Sequence, residues 1–332
     1  MLTGLLISSL ALALLGAWGV CRFGQKACLM DCPNERSSHS RPTPKGGGVG
    51  MLAAFCVAGV LSGASIWLWA NISIMALIAG YGDSVDLPVR LRLVVQLGLA
   101  AVLVLGTLQS SADCYFSLPL ILFWIVFIVG TANFYNFMDG IDGIAGITGV
   151  VGFSLLALYI YGWEAPVWPG TLSLCMAFSC LGFLPLNMPK ARVFMGDVGS
   201  ILLGAVFAGL VYMASHTFLD FMCMASFLLP FYADELSTEV VRLRDGENLT
   251  KAHRRHVYQL LANEKQIAHW KISVGYGVLQ ILVGVCVLLT RQVGLLAVLG
   301  VLVGWFGLFV ASGYYVRATT ERKEHRIRTL SV

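Results

Sequence analysis

Three acidic residues sit where an apolar chain should have none. Asp139 and Asp142 stand in NFYNFMDGIDG (133–143), and Asp197 stands in the turn NMPKARVFMGDVGS (187–200). A spacing of three puts Asp139 and Asp142 on one side of a helix or a tight turn. A glycine after each lets a ligand approach the backbone closely. Acids gathered at an apolar boundary repel one another unless a cation joins them. Oxygen donors without histidine or thiolate partners suit Mg²⁺, with Mn²⁺ as the alternative. A calcium loop would need a glutamate where Val150 stands. Taken singly, each acid reads equally well as a helix cap or a solvated loop residue.

The bases form the second constellation. His253, Arg254, Arg255 and His256 follow one another in HRRH, and Arg92 closes LPVRLR (87–92). Guanidinium forks match phosphate oxygens. The competing reading is a basic loop resting on anionic lipid headgroups. As zinc ligands, His253 and His256 lack a third partner at a suitable spacing. His216 and His269 read as incidental, and His39, beside RPTPKGGG, is left undecided.

These residues need elements to hold them, and composition says what kind. The 332 residues are 58% hydrophobic and 12% charged, with mean hydropathy +0.79. About a quarter of an ordinary soluble chain is charged. Apolar runs near the ~20 residues that cross a bilayer recur along the whole length, and helices satisfy their own backbone hydrogen bonds in lipid. The expectation is an all-α polytopic membrane protein, a single integral membrane domain over 1–332. About eleven spans are expected, near 2–20, 47–62, 66–82, 91–108, 118–134, 144–161, 168–186, 198–214, 217–233, 271–290 and 293–315. The first run has no basic residue ahead of it and reads as a retained span. The nine cysteines read as small buried hydrophobes. Cys28 and Cys32 lack the spacing of a zinc site.

Lysine and arginine mark the cytoplasmic side. They crowd the segments 21–46, 83–92, 187–197 and 234–271 and the C-terminal tail, whereas the alternate loops carry Arg291 alone. The expected orientation has the N-terminus periplasmic and the C-terminus cytoplasmic. The net charge of +4 mostly reflects this bias, so it is poor evidence for a nucleic-acid partner, and none is expected. The same cytoplasmic segments (36–48, 80–92, 133–143, 187–200 and 234–270) hold the acids and arginines, while the outer loop YGWEAPVW offers little beyond Glu164. Metal-seeking acids and phosphate-seeking arginines at one membrane face point to a nucleotide diphosphate meeting a lipid phosphate. The metal would offset diphosphate charge, and the arginines would hold phosphoryl oxygens.

Together, NFYNFMDGIDGIAG, NMPKARVFMGDVGS and HRRHVYQ resemble, in matching order over roughly 36–261, the polyprenyl-phosphate N-acetylhexosamine-1-phosphate transferases. RSSHSRPTPKGGG and HRRHVYQ resemble the O-antigen-initiating branch more than the lipid I branch. The resemblance implies Mg²⁺-dependent transfer of a sugar-1-phosphate from a UDP-N-acetylhexosamine to undecaprenyl phosphate, with release of UMP. It also implies a bacterial inner membrane, a cytoplasmic active site and a place at the first step of surface-glycan assembly, such as lipopolysaccharide. The family includes homodimers, and no interface is legible in the sequence. The match gives Asp197 and Asn136 to the metal and catalytic roles to Asp83, Asp139, Asp197 and His256. It gives substrate contacts to Asn133, Gly140, Asp142, Arg92, His253, Arg254, Arg255, Thr43 and Lys45.

One position departs from the pattern. The family carries an adjacent aspartate pair after the third span, and alignment on LPVRLR places Gly82 at the first and Asp83 at the second. A phosphate monoester has a second pKa near 6 and is largely dianionic at neutral pH, so a base at the first position is dispensable. Asp86 is the residue expected to reach in if one is needed. Two other readings remain: a secondary transporter, which would place ionisable groups near the bilayer centre, and an inactive scaffold homologue.

Overall fold

In a computed structural model, residues 1–27, 29–33, 38–85, 87–109, 117–162, 167–248 and 253–330 are described, without the side chains of 109 and 321–330. Cys28, Arg36, Asp86, Cys114, Glu164 and Lys251 therefore lie outside the description. The chain is a bundle of helices: α1 (Leu2–Phe23), α2 (Val49–Leu61), α3 (Ile66–Val85), α4 (Val89–Gln109), α5 (Leu118–Phe137), α6 (Ile144–Gly162), α7 (Val167–Asn187) and α8 (Asp197–Ala214). Then come α9 (Phe218–Ala225), α10 (Leu229–Arg244), the short α11 (Val257–Asn263), α12 (His269–Thr290) and α13 (Leu295–Leu330). A two-residue hairpin, β1 (Met30–Asp31) with β2 (Thr43–Pro44), lies between α1 and α2.

Among the described residues, eight helices are long and apolar enough to cross a membrane, and the protein is a multi-pass membrane protein. α2, at 13 residues, is shorter than a full span. The run expected at 217–233 is not one helix. α9 ends at Ala225, a 3₁₀ turn covers Ser226–Leu228, and α10 restarts with Pro230 in its first turn. Proline is tolerated there because the first amides of a helix have no intrahelical partner. None of the described cysteines is bridged, and Cys175, Cys180 and Cys223 are buried.

α8 is the central post. Nearly all of its residues are buried, because α3, α5, α2, α6 and α7 all pack around it. Asp197, its first residue, is its only charged group. Gly196 precedes it with φ +71°, a left-handed conformation that glycine adopts at least cost. That turn sets the Asp197 carboxylate on the positive end of the α8 dipole, a placement worth about 0.3–1 kcal/mol.

Candidate active site

The loops singled out in the sequence meet at one end of the bundle. The PTPKGGG segment lies along the MGD turn. Phe194 N donates to Pro44 O (2.8 Å), Gly47 N to Phe194 O (2.9 Å) and Gly48 N to Met195 O (2.9 Å). A Cβ on Gly48 would strike the Gly199 backbone, so the glycine run is what permits this close pairing. The pairing brings Lys45 to the start of α8. The DGIDG turn is held from α7: Gly143 N donates to Asn187 Oδ1 (2.8 Å), while Asn187 Nδ2 donates to Val193 O (3.0 Å). One asparagine thus ties the 139–143 turn to the 187–197 loop.

Between these loops is a cavity of about 290 Å³. Of the residues expected in a site, Lys45, Asp83, Asn136, Asp139, Gly140, Asp142 and Asp197 line it. Lys45 Nζ sits 2.6 Å from Asp83 Oδ1 and donates to the Asp83 carbonyl at 3.0 Å. Burial disfavours its ammonium, but the Asp83 carboxylate outweighs this and holds the Lys45 pKa above the ordinary lysine value. Arg92 Nη1 donates to Asp197 Oδ2 at 2.7 Å. Asn136 Nδ2 donates to Asp197 Oδ1 (2.9 Å) and Ser200 Oγ (2.8 Å), which leaves Asn136 Oδ1 to accept or to ligate. Asp139 is hemmed in by protein. Burial, reinforced by Asp197 and Asp142, pushes its carboxyl up to about 7.

Several expected residues stand apart from the cavity. Asn133 Nδ2 bonds Gln96 Oε1 (2.7 Å) and Val129 O (2.8 Å). Thr43 is buried in β2, with its hydroxyl on Arg41 O (3.1 Å). The HRRH side chains line a different region, against acids of α10 and the segment after it. Arg255 pairs with Asp245 and Glu247, and His253 Nε2 is 3.5 Å from Glu239. His256 is buried, 3.8 Å from Asp234 and 3.4 Å from Glu235. Burial lowers the His253 pKa to about 4, helped by His256 and Arg242. Burial also opposes the His256 charge, but Asp234 and Glu235 outweigh it and raise its pKa. Arg254 is half-buried in the same stretch.

This stretch reaches the site through α11. Asp234 accepts from Val257 N (2.8 Å), Tyr258 N (3.2 Å) and Tyr276 Oη (2.6 Å). Tyr258, fully buried, then donates to Phe137 O (3.0 Å) and packs against Gly140. The next residue, Gln259, lines the cavity.

Residues the sequence did not single out complete the wall: Asp31, Ser38, Asn187, Phe194, Gln259 and the "incidental" His269. His269 is a correction. Its Nδ1 is 3.2 Å from Asp142 Oδ2, and only the folded chain brings α12 to that turn. The undecided His39 also lines the cavity, edge-on to Phe194.

Among the described residues, no three His, Cys, Asp or Glu side chains converge as a ready metal cage. The donor set around Asp197 is nonetheless all oxygen: Asp197, Asn136 Oδ1, Asp139 and Asp83. Magnesium is commonly held by one or two carboxylates with substrate phosphates supplying further ligands, so this set fits that ion better than a zinc-type one.

Comparison with known proteins finds similar chains. The model of glycosyl transferase family 4 matches residues 65–215. An undecaprenyl-phosphate alpha-N-acetylglucosaminyl 1-phosphate transferase of Thermotoga maritima is 30% identical over 252 residues, 75% of this chain and 77% of that one. A probable undecaprenyl-phosphate N-acetylglucosaminyl 1-phosphate transferase of Bacillus subtilis is 30% identical over 199 residues, covering 55% and 54%. A phospho-N-acetylmuramoyl-pentapeptide-transferase of Staphylococcus epidermidis is 40% identical over 105 residues, and there the match spans 32% of the relative's length.

Proposed function

The chain belongs to the polyprenyl-phosphate N-acetylhexosamine-1-phosphate transferase family, and on that premise we propose that it transfers an N-acetylhexosamine-1-phosphate from a UDP-sugar to undecaprenyl phosphate. An oxygen of the lipid phosphate attacks the β-phosphorus of the donor, the bridging P–O bond breaks, and UMP leaves. The cavity's location supports this reading: nucleotide-sized, polar and at a loop end of the bundle, beside helices that face lipid. In the orientation read from the basic loops, that end is cytoplasmic in the bacterial inner membrane, and the product is the first lipid-linked intermediate of an O-antigen-like glycan.

Lys45 and Arg92 hold phosphoryl oxygens, each aimed by an acid (Asp83 and Asp197). Asp197 and Asn136 hold Mg²⁺, with Asp139 close enough in charge to be felt. When bound, the ion offsets charge on the diphosphate and on the departing UMP. Asp142 and the glycines of its turn shape the donor's bed. The acceptor phosphate is largely dianionic at neutral pH, so Gly82 in place of an acid costs no obligatory proton transfer. The transporter reading is weaker, because α8, the most enclosed helix, has no charged group beyond its first residue.

The test is incubation of the purified protein with undecaprenyl phosphate, Mg²⁺ and a panel of UDP-N-acetylhexosamines, with mass spectrometry of the lipid. A lipid gaining a HexNAc-1-phosphate supports the proposal. Unchanged lipid with every donor, from protein that binds uridine nucleotides, favours the inactive-scaffold reading.

A further inference from the structure

Glu235 has no role in the reaction as drawn, yet it is buried beside a histidine that leads into the site. It follows Asp234 on α10, a helix that is not among the eight spans, and both acids face one imidazole. His256 Nδ1 is 3.8 Å from Asp234 Oδ1, and its Nε2 is 3.4 Å from Glu235 Oε2. A neutral imidazole would turn an acceptor nitrogen to one of these carboxylates, whereas an imidazolium presents a donor to each. The two acids are not equivalent. Asp234 accepts from Val257 N, Tyr258 N, Tyr276 Oη and Thr238 Oγ1. Among the described residues, Glu235 Oε2 and His256 Nδ1 are buried without a hydrogen-bond partner, so charge rather than a formed bond ties Glu235 to the ring. Burying an unbonded carboxylate oxygen is costly, and one kept in a folded chain calls for a reason.

The other charges around this pair are engaged elsewhere. On α10, Arg242 donates to Glu239 and Glu247, and Arg255 pairs with Asp245 and Glu247. The His253 ring lies 4.7 Å from the His256 ring, and Tyr258 of α11 stacks on His256 at 5.6 Å. From α12 Tyr276 reaches Asp234, and from α13 Arg317 donates to Thr238 Oγ1 (2.8 Å). His256 immediately precedes α11, whose first two amides rest on Asp234. Gln259, on the cavity wall, accepts from His256 N (3.4 Å), and Tyr258 donates to Phe137 O ahead of the DGIDG turn. We propose that Glu235 is a positioning residue: with Asp234 it clamps the His256 imidazolium, and the clamp sets α11 so that Tyr258 and Gln259 hold their places at the site. The proposal rests on the transferase reading and adds a residue outside the cavity to it. Burial opposes the His256 charge, but Asp234 and Glu235 outweigh it and raise the His256 pKa, while burial pushes Glu235 up to about 7 against the pull of His256. A raised histidine pKa makes the clamp present at lower pH and lost as the pH rises through that value.

The test joins two pH titrations of the full-length protein in detergent, for wild type, Glu235→Gln and Glu235→Asp. The first follows the imidazole resonances of histidine-labelled protein, with the His256 signal assigned by its loss in His256→Gln. The second measures kcat for UMP release with undecaprenyl phosphate, Mg²⁺ and a UDP-N-acetylhexosamine. In Glu235→Gln, His256 is expected to lose its proton on the order of one pH unit earlier, the effect of removing one close opposite charge. The alkaline limb of kcat moves down with it, so that beyond the limb kcat is about tenfold below wild type, the ratio one unit sets. On the acid side the two profiles converge, because glutamine matches a protonated Glu235. Glu235→Asp keeps the charge on a shorter arm and recovers part of the shift. An unmoved His256 titration in folded Glu235→Gln would overturn the clamp. A moved titration with an unmoved kcat limb, or a kcat lowered by one factor at every pH, would overturn the positioning role. Wild-type protein that turns over no donor would defeat the transferase reading instead, and the resonance titration would still decide the clamp.

Discussion

Replacing Gly82 with aspartate restores the acid that the family pattern carries and this chain lacks, and the structure predicts its effect. Gly82 is buried in α3. A Cβ added there would lie 3.1 Å from Arg92 Cδ and 3.3 Å from Leu87 Cδ1. Both neighbours are side chains and must shift by only a few tenths of an ångström. The helix itself gains about 0.3 kcal/mol from losing a glycine. An acid in the last turn of a helix loses a similar 0.3–1 kcal/mol. The deciding term is Arg92, whose guanidinium already serves Asp197 and would serve the introduced carboxylate too. A charge-assisted hydrogen bond contributes about 1.5–3 kcal/mol, whereas a buried carboxylate without its partner costs roughly 3–5 kcal/mol. Gly82→Asp is therefore expected to melt within about 1 kcal/mol of wild type and to release UMP at the same rate or faster. Adding Arg92→Ala should cost roughly 3 kcal/mol more than Arg92→Ala costs alone. Thermal unfolding in detergent and a UMP-release assay on the four proteins of this cycle provide the check. Loss of folding in the single variant, or additivity in the cycle, would refute the pairing with Arg92 and the alignment that places Gly82 at an acidic position.

Three further outcomes follow from the same geometry. Tyr258→Phe removes the hydroxyl on Phe137 O and should cost about 1 kcal/mol of stability while lowering kcat, because the turn between α5 and α6 loses its brace; unaltered kcat would detach α11 from the site. Arg291→Ala, at the opposite end of the bundle, breaks bonds to Tyr159 (2.7 Å) and Asp220 (3.0 Å); it should cost about 1–2 kcal/mol of stability, read as a lower melting point, and leave both KM values unchanged. Asp139 carries a raised pKa, about 7 against 3.8, so the folded state holds its proton more tightly than the unfolded one. Its contribution is present below pH 3.8 and lost as the pH rises through about 7, at most about 4 kcal/mol before solvent screening. Melting of ligand-free protein across this window should flatten in Asp139→Asn, and an unchanged profile would remove Asp139 from the titration.

The spans and the converging loops were legible because both depend on local signals: apolar run length, basic bias and glycine-rich breaks. The broken span at 217–233 was not, because hydropathy does not register the 3₁₀ turn ahead of Pro230. HRRH shows the limit of residue type as a guide. Its arginines and histidines suit phosphate, but Asp234, Glu235, Glu239, Asp245 and Glu247 lie within about twenty residues upstream, and the fold spends much of the basic charge on them. That acidic run was visible in the sequence and was the available clue. His269 had no clue of its own. Its meaning comes from a contact with Asp142 across 127 positions of chain, made only when α12 packs on α6.

The proposed reaction stands or falls on the Asp197 turn at the head of α8 holding the metal that joins donor and acceptor. The most direct test is UMP release from a UDP-N-acetylhexosamine by purified protein given undecaprenyl phosphate and a Mg²⁺ titration, comparing wild type with Asp197→Asn. Release by wild type should depend on Mg²⁺, and the substitution should abolish it while the protein remains folded. Turnover by Asp197→Asn near the wild-type rate, with the same Mg²⁺ dependence, would contradict it.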